Sequence, residues 1–167
     1  EHGTVDKIFV QKWYNTGTLM EQYHMLRCEY DGLYQTWYDN GQLKIRGFYH
    51  KGVLYGPYEE WHSTGLRQKL CEYSCGIKNG SYELWYGNAQ KRQTMTYKNG
   101  ILAGLYMEWA SDGHPKIMRH YQNGIVHGEY AQWYANGHEK LKCHYEHNKL
   151  SGLREEWHEN GAKKSEC

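Results

Sequence analysis

The hydrophobic and polar positions of this chain follow one fixed interval. Its 167 residues include seven Trp, and each lies 24 residues after the one before. They are Trp13, Trp37, Trp61, Trp85, Trp109, Trp133 and Trp157. Stretches rich in Tyr, Trp and Ile alternate with short polar stretches that contain Gly. Self-similarity at one period predicts a repeat architecture, in which each repeat is one supersecondary motif that is stable only beside its neighbours.

The glycines and tyrosines predict that each repeat is a β-hairpin. Counting each Trp as position 0, Gly recurs at +4, +15 and +19, and Tyr at +1, +12 and +21. Asn-Gly at +3 and +4, as in Asn40-Gly41, fits a type I′ turn, and Asn99-Gly100 at +14 and +15 fits a second one. Two turns per repeat leave two strands of roughly eight residues, so the chain holds about thirteen. Frequent Gly disfavours a helix.

The predicted fold class is therefore all-β. We expect a single-layer, elongated antiparallel β-meander built of tandem 24-residue β-hairpin repeats. The whole chain, residues 1–167, forms one repeat domain, with Trp-anchored units that start near residues 13, 37, 61, 85, 109, 133 and 157. Residues 1–12 form an N-terminal capping part-unit. Because the chain begins at Glu1 and ends within a repeat, we expect it to be a piece of a longer protein.

Two-residue turns also predict the strand register. Around the first turn, the Trp at position 0 opposes position +7, which is mostly Lys or Arg, so that each cationic stem lies along an indole ring. Around the second turn, the Tyr at +12 opposes position +17, which is mostly Leu. Trp, Lys and the Glu at position −2 then share one face, and Tyr, Leu and Gly share the other. Neighbouring repeats slip by two residues, unless the Gly at +19 marks a bulge.

The Trp and the cations at +7 form the candidate binding face. Its members are Trp37, Lys44, Trp85, Arg92, Trp109, Lys116, Trp133 and Lys140. Aromatic residues and Arg are enriched in the cores of protein interfaces, which favours a partner chain, a glycan or lipid headgroups on this face. The alternative is that each Trp packs on neighbouring strands and replaces the core that a single-layer sheet lacks. Both can hold at different repeats.

Composition narrows the function classes. Lys and Arg number 20 against 19 Asp and Glu, and this balance argues against a nucleic-acid partner. Five scattered Cys, without a zinc-type spacing, favour a reducing compartment, which we take as the cytoplasm. Cys143 and His144 point to opposite faces of a strand, so no metal site is predicted. Repeats this similar offer no single cleft with unique chemistry, so neither an enzyme nor a cofactor is expected.

One stretch carries a family resemblance. Tyr121 to Lys140, YQNGIVHGEYAQWYANGHEK, resembles the variant group of the MORN repeat, written roughly as Tyr-x-Asn-Gly-x-x-x-Gly-x-Tyr-x-x-Trp-Tyr-x-Asn-Gly. Its part from Gly124 to Tyr130 is similar to the core of the ordinary repeat. The spacing of 24 residues rather than 23, and Glu129 in place of a further Gly, depart from the ordinary pattern.

The resemblance implies a binding platform. The expected function is a non-enzymatic repeat scaffold for protein–protein association within a larger assembly. Alternatives are a membrane-surface adaptor that binds anionic phospholipids through the Lys row, an antitoxin-like binder of a toxin, and a structural component of a large-DNA-virus particle. Besides protein partners, homo-oligomers through unprotected edge strands follow from an open sheet.

Overall fold

A computed structural model describes residues 6–166, and within that range every regular element is a β-strand. Strands that neighbour each other in the sheet are antiparallel and follow chain order, which confirms the predicted all-β meander. The strands are β1 (Lys7–Trp13), β2 (Leu19–Leu26), β3 (Glu29–Trp37), β4 (Leu43–His50), β5 (Val53–Leu54), β6 (Gly56–Trp61), β7 (Arg67–Ser74), β8 (Ile77–Trp85), β9 (Lys91–Lys98), β10 (Ile101–Leu102), β11 (Gly104–Trp109), β12 (Pro115–Gln122), β13 (Ile125–Trp133), β14 (Glu139–Glu146), β15 (Lys149–Trp157) and β16 (Lys163–Glu166).

The chain divides into two compact units, Glu1–Asn79 and Gly80–Cys167. Each is a meander of hairpins. The described strands outnumber the predicted thirteen partly because β5 and β10 are two-residue strands, each separated by one residue from the strand that follows. Of the predicted capping part-unit, residues 1–5 lie outside the described residues, and most of the rest belongs to β1, which pairs with β2.

The turn after each Trp is a three-residue loop, which corrects the predicted type I′ turn. The amide of Gly41 donates to the carbonyl of Tyr38 (3.0 Å), and the amide of Tyr38 donates to the carbonyl of Gln42 (2.8 Å). Gly41 has a φ of 82°, whereas Asn40 is not in the positive-φ region. A type I turn followed by one left-handed residue is the usual three-residue hairpin loop.

The Asn at +3 acts through its side chain instead. Asn40 Oδ1 accepts a hydrogen bond from the amide of Gln42 (3.0 Å), and its Nδ2 donates to the carbonyl of Ser63 in the next repeat (2.8 Å). Asn88 and Asn136 make the same two bonds. The Asn therefore closes its own loop and links it to the loop beside it.

The Tyr at +1 makes a second link between repeats. The hydroxyl of Tyr38 donates to the carbonyl of Trp61, one repeat further on, at 2.8 Å. The same bond joins Tyr14 to Trp37, Tyr86 to Trp109 and Tyr134 to Trp157 at 2.8–2.9 Å. Each bond ties the turn of one repeat to the backbone of the next.

The longer loop changes the partner of each Trp. Trp37 opposes Leu43 at position +6, whereas Thr36 opposes Ile45, so Lys44 lies in a bulge. The predicted pairing of Trp with +7 is therefore wrong. The observed pairs are Trp13 with Leu19, Trp37 with Leu43, Trp61 with Arg67, Trp85 with Lys91, Trp109 with Pro115, Trp133 with Glu139 and Trp157 with Lys163.

The second turn agrees with prediction. Asn99 and Gly100 have φ values of 50° and 81°, as a type I′ turn requires. Tyr97 opposes Leu102, which confirms the predicted contact between +12 and +17. In the next repeat, the amide of Gly124 at the turn donates to the carbonyl of Leu102 (2.8 Å), so this edge of the sheet is linked between repeats as well.

A bulge at the Gly of position +19 removes the predicted slip between repeats. Between β12 and β13, Tyr121 opposes Val126 but Arg119 opposes Tyr130, so three residues around Gly128 lie opposite His120 alone. The two extra residues offset the slip that the turns alone produce. Equivalent residues of successive repeats consequently lie in the same row across the sheet.

The small core lies between the tyrosines. Tyr58 at +21 and Tyr73 at +12 pack edge to face, with ring centroids 6.1 Å apart. Cys71 opposes Tyr58 and is fully buried, and burial raises the pKa of its thiol. Burial also raises the pKa of Tyr58 to about 12. Four further repeats hold the same pair at 5.6–6.2 Å: Tyr34 with Tyr49, Tyr82 with Tyr97, Tyr106 with Tyr121 and Tyr130 with Tyr145.

The side-chain link at +3 predicts opposite effects at two loops of the second unit. In Asn88→Asp, the donor to the carbonyl of Ser111 (2.7 Å) becomes a carboxylate, and we expect a loss of about 1–2 kcal/mol in the free energy of unfolding. In Asp112→Asn, the new side-chain amide can donate to the next loop as the other Asn residues do. We expect the free energy of unfolding to rise by about 0.5–1 kcal/mol. Urea denaturation measures both. Equal effects of one sign would contradict the link.

The bulge glycines predict a second contrast. Gly128 has a φ of 111°, and a Cβ there would lie 3.0 Å from the Cβ of His120. Gly152 has a φ of 78° and open space around its Cα. We expect Gly128→Ala to cost roughly 3–5 kcal/mol, because backbone strain and steric overlap add, and Gly152→Ala about 1–2 kcal/mol for the φ alone. Thermal unfolding of the two variants tests this order, and equal costs would rule out the steric part.

Candidate functional site

The two faces of the sheet separate the cations at +6 from those at +7. Glu155 and Glu156 are neighbours in β15 and so point to opposite faces. Lys163 at +6 binds Glu155 at 2.9 Å, and Lys164 at +7 binds Glu156 at 3.4 Å. We call the face with Trp, Glu at −2 and the residue at +6 the Trp face. The other, with Tyr at +12 and +21 and the residue at +7, is the Tyr face.

The predicted binding residues are therefore divided between these faces. Trp37, Trp85, Trp109 and Trp133 belong to the Trp face, whereas Lys44, Arg92, Lys116 and Lys140 belong to the Tyr face. This corrects the predicted contact of each cation with an indole ring, and the one-residue bulge beside each Trp is the physical reason.

The cations at +7 contact the Tyr at +1. Their charged groups lie 5.4–5.9 Å from the ring centroid, in the pairs Lys44 with Tyr38, Arg92 with Tyr86 and Lys140 with Tyr134. In the repeat of Lys116, position +1 is Ala110. There the ammonium group binds Glu108 at 2.7 Å, and this hydrogen bond lowers the pKa of the carboxyl group.

On the Trp face, Trp61 packs against a cation that the sequence reasoning missed. The guanidinium of Arg46 lies 5.4 Å from the ring of Trp61 and donates to Glu59 at 2.8 Å. Arg67, at +6, donates to the other oxygen of the same carboxylate at 2.9 Å. Glu59 is only 5 % exposed, so two cations compensate one buried charge. Glu59 therefore binds cations on both neighbouring strands.

The Trp face of the first unit also carries a row of mostly apolar side chains, three of which are exposed. Phe9 opposes His24, with ring centroids 4.8 Å apart, and Leu33 opposes Phe48. Phe9 is 50 % exposed and Phe48 is 40 % exposed. Pro57 continues the row into β6. We call these five residues the N-terminal stripe.

The second unit lacks such a row. The positions equivalent to those of the N-terminal stripe hold mostly polar residues, namely Ser81, Thr96, Leu105, His120, Glu129, His144 and Leu153. Sequence reasoning missed the stripe because it followed what the repeats share. A comparison of positions +11 and +20 between repeats would have found it.

Neither a metal site nor a membrane-spanning helix is found in the described part of the chain. Within residues 6–166, no three or more His, Cys, Asp and Glu side chains are grouped so as to hold a metal ion. A search of the same residues for a helix with the length and apolar character to cross a membrane also finds none. The surface depressions are shallow, and one of about 160 Å³ lies on the Tyr face beside Arg119.

Comparison with known proteins identifies the repeat. The family model described as the MORN repeat variant matches residues 30–51, which include most of β3 and all of β4. No curated protein matches the chain. MORN repeats are generally associated with protein and membrane interaction, and their fold is typically non-catalytic. Because the matched hairpin recurs in sequence and structure through the described residues, the chain is built of repeats similar to the MORN repeat variant.

Proposed function

We propose that the chain is a non-enzymatic scaffold that binds another protein through the N-terminal stripe. The observation that carries this proposal is the exposure of Phe9 and Phe48 in one row of the Trp face. Contiguous apolar side chains in water are unfavourable, and such rows on soluble proteins mark interaction surfaces. Within residues 6–79, no second layer of structure covers them.

Neighbouring residues of the same face extend the surface. Trp13 lies in the same strand as Phe9, is four residues away, and is 54 % exposed. Aromatic side chains bury a large area with few rotatable bonds, and they dominate the binding free energy of many interfaces. An apolar segment of a partner protein is therefore the chemistry that fits this surface.

Charge favours a protein partner over an anionic membrane. The cations of the Tyr face do not form a continuous row of exposed charges. Lys116 binds Glu108, and Lys140 lies against the ring of Tyr134. The formal net charge of the chain is +1. Attraction to acidic lipids grows with the number of unpaired cations near the surface, and here it is weak.

The stripe predicts that two substitutions abolish partner binding. We expect Phe9→Thr with Phe48→Thr to reduce recovery of co-purified partners by roughly tenfold or more, because two apolar anchors are lost while strand propensity is kept. The matched control is Leu105→Thr with Leu153→Thr, at positions 44 % and 51 % exposed on the same face of the second unit. Quantitative mass spectrometry after affinity purification measures both. Unchanged recovery in the first variant would refute the proposal.

Vesicle sedimentation tests the membrane alternative. We expect vesicles that contain phosphatidylserine to retain no more protein than neutral vesicles at physiological ionic strength, since the formal net charge is only +1 and the row of cations is interrupted where Lys116 binds Glu108. Strong binding to the acidic vesicles would instead support a membrane-surface adaptor, provided that it falls with salt and is lost in the double variant Lys44→Glu, Lys140→Glu.

A further inference from the structure

Arg119 breaks the pattern of the Tyr face. It occupies position +10, where the other repeats hold uncharged residues, namely Tyr23, Gly47, Cys71, Met95 and Cys143. Its guanidinium carbon lies 5.7 Å from the ring centroid of Tyr106 and 5.6 Å from that of Tyr130. A cation therefore lies between two tyrosine rings in one repeat of the second unit.

This guanidinium has no carboxylate bound to it within residues 6–166. Other half-exposed Arg side chains of the sheet, such as Arg46 and Arg154, bind Glu directly. The hydrogen-bonding contacts of Arg119 are with tyrosine hydroxyls, among them Tyr121 at 3.4 Å from Nη1. Its Nε is buried and makes no hydrogen bond. A partly desolvated charge with unused donors is costly unless an anion joins it.

The nearest acidic group does not supply that anion. The charge of Arg119 is one of the causes that lower the pKa of the Glu108 carboxyl group. Its oxygens, however, bind Lys116 at 2.7 Å and the hydroxyl of Tyr106 at 3.2 Å. Glu108 therefore leaves to a ligand those Nη donors of Arg119 that the tyrosine hydroxyls do not use.

The depression beside Arg119 has further donors and apolar walls. It measures about 160 Å³ and is lined by Arg119, Val126, Tyr130, Tyr145 and Asn148. Gln132 donates to the hydroxyl oxygen of Tyr130, so the hydroxyl proton is free to be donated. Burial raises the pKa of Tyr130, which keeps that proton at neutral pH. Asn148 Oδ1 accepts from the amide of Val126 at 2.7 Å, which leaves its Nδ2 as a donor.

We propose that this depression, the Arg119 site, binds a carboxylate. The planar guanidinium presents paired N–H donors that match the two oxygens of a carboxylate. Val126, Tyr130 and Tyr145, which line the depression, contact the carbon skeleton of the ligand. The site belongs to the Tyr face of the second unit, so it is independent of the N-terminal stripe.

Titration of the wild-type protein followed by NMR tests the proposal. The probes are benzoate, the peptide acetyl-Gly-Asp-Gly-amide and inorganic phosphate, and the signals are the Nε–H of Arg119 and the backbone amide of Val126. We expect both carboxylates to shift these signals, and the shifts to reach saturation at a ligand concentration of ~20 mM, as a dissociation constant near 1 mM requires. Inorganic phosphate has no carbon skeleton for Val126 and Tyr145 to contact, so we expect it to shift these signals much less. No saturable shift with either carboxylate, or a stronger response to phosphate, overturns the proposal.

The two carboxylates also separate the two sources of the ligand. Tighter binding of the peptide indicates an acidic side chain of a protein, because the peptide backbone adds contacts outside the depression. Tighter binding of benzoate indicates a free small carboxylate. Either order supports a carboxylate site.

Variants identify the binding group. We expect Arg119→Gln to weaken the response of Val126 to the carboxylates by roughly tenfold or more, and Arg119→Lys to restore only part of it, because a lysine lacks the planar donors. The control is Arg154→Gln in the same unit, whose side chain already binds Glu156, and it retains the wild-type affinity. Unchanged binding in a folded Arg119→Gln protein refutes the role of Arg119.

Discussion

Each repeat depends on having its equivalent residues beside those of the next repeat. A hairpin of 24 residues has no second layer to pack on, so its stabilising contacts come from the neighbouring hairpins. Those contacts repeat only if the strands meet without a slip. The bulge around the Gly at +19 supplies the two residues that cancel the slip, and a Gly is needed there because φ is positive. The links from Tyr38 to Trp61 and from Asn40 to Ser63 both follow from that alignment.

The same alignment sorts side chains into rows of one chemistry. On the Tyr face, tyrosine pairs cover small residues such as Cys71, so aromatic rings replace the aliphatic core of a globular domain. On the Trp face, Glu59 and its two Arg partners pack beside Trp61. A charge network and an indole row together shield little area from water. Apolar side chains on this face that lie outside these two rows, such as Phe48, therefore stay exposed.

Sequence reasoning predicted the elements well and the faces less well. The period of 24, the hairpins and the contact of Tyr97 with Leu102 follow from spacing alone. The two turns share the Asn-Gly pair, yet only the second is type I′, since the side chain of Asn40 stabilises a longer loop. One extra residue in that loop moves Lys44 to the opposite face, because side chains in a strand alternate. An error of one residue thus divided the predicted candidate site between two surfaces.

In both proposals, deviations from the repeat, rather than the repeat itself, give the surface its specificity. Positions that are alike in every repeat present the same chemistry many times over, so a ligand that used them alone would bind in several registers. The N-terminal stripe and Arg119 each occur in one unit, at positions whose equivalents are polar or uncharged. Arg119 places a charge where the equivalent positions are uncharged, and tyrosine rings and hydroxyls rather than a carboxylate compensate it. A cation that is absent from the equivalent positions and has no carboxylate bound to it fits the proposed role in binding.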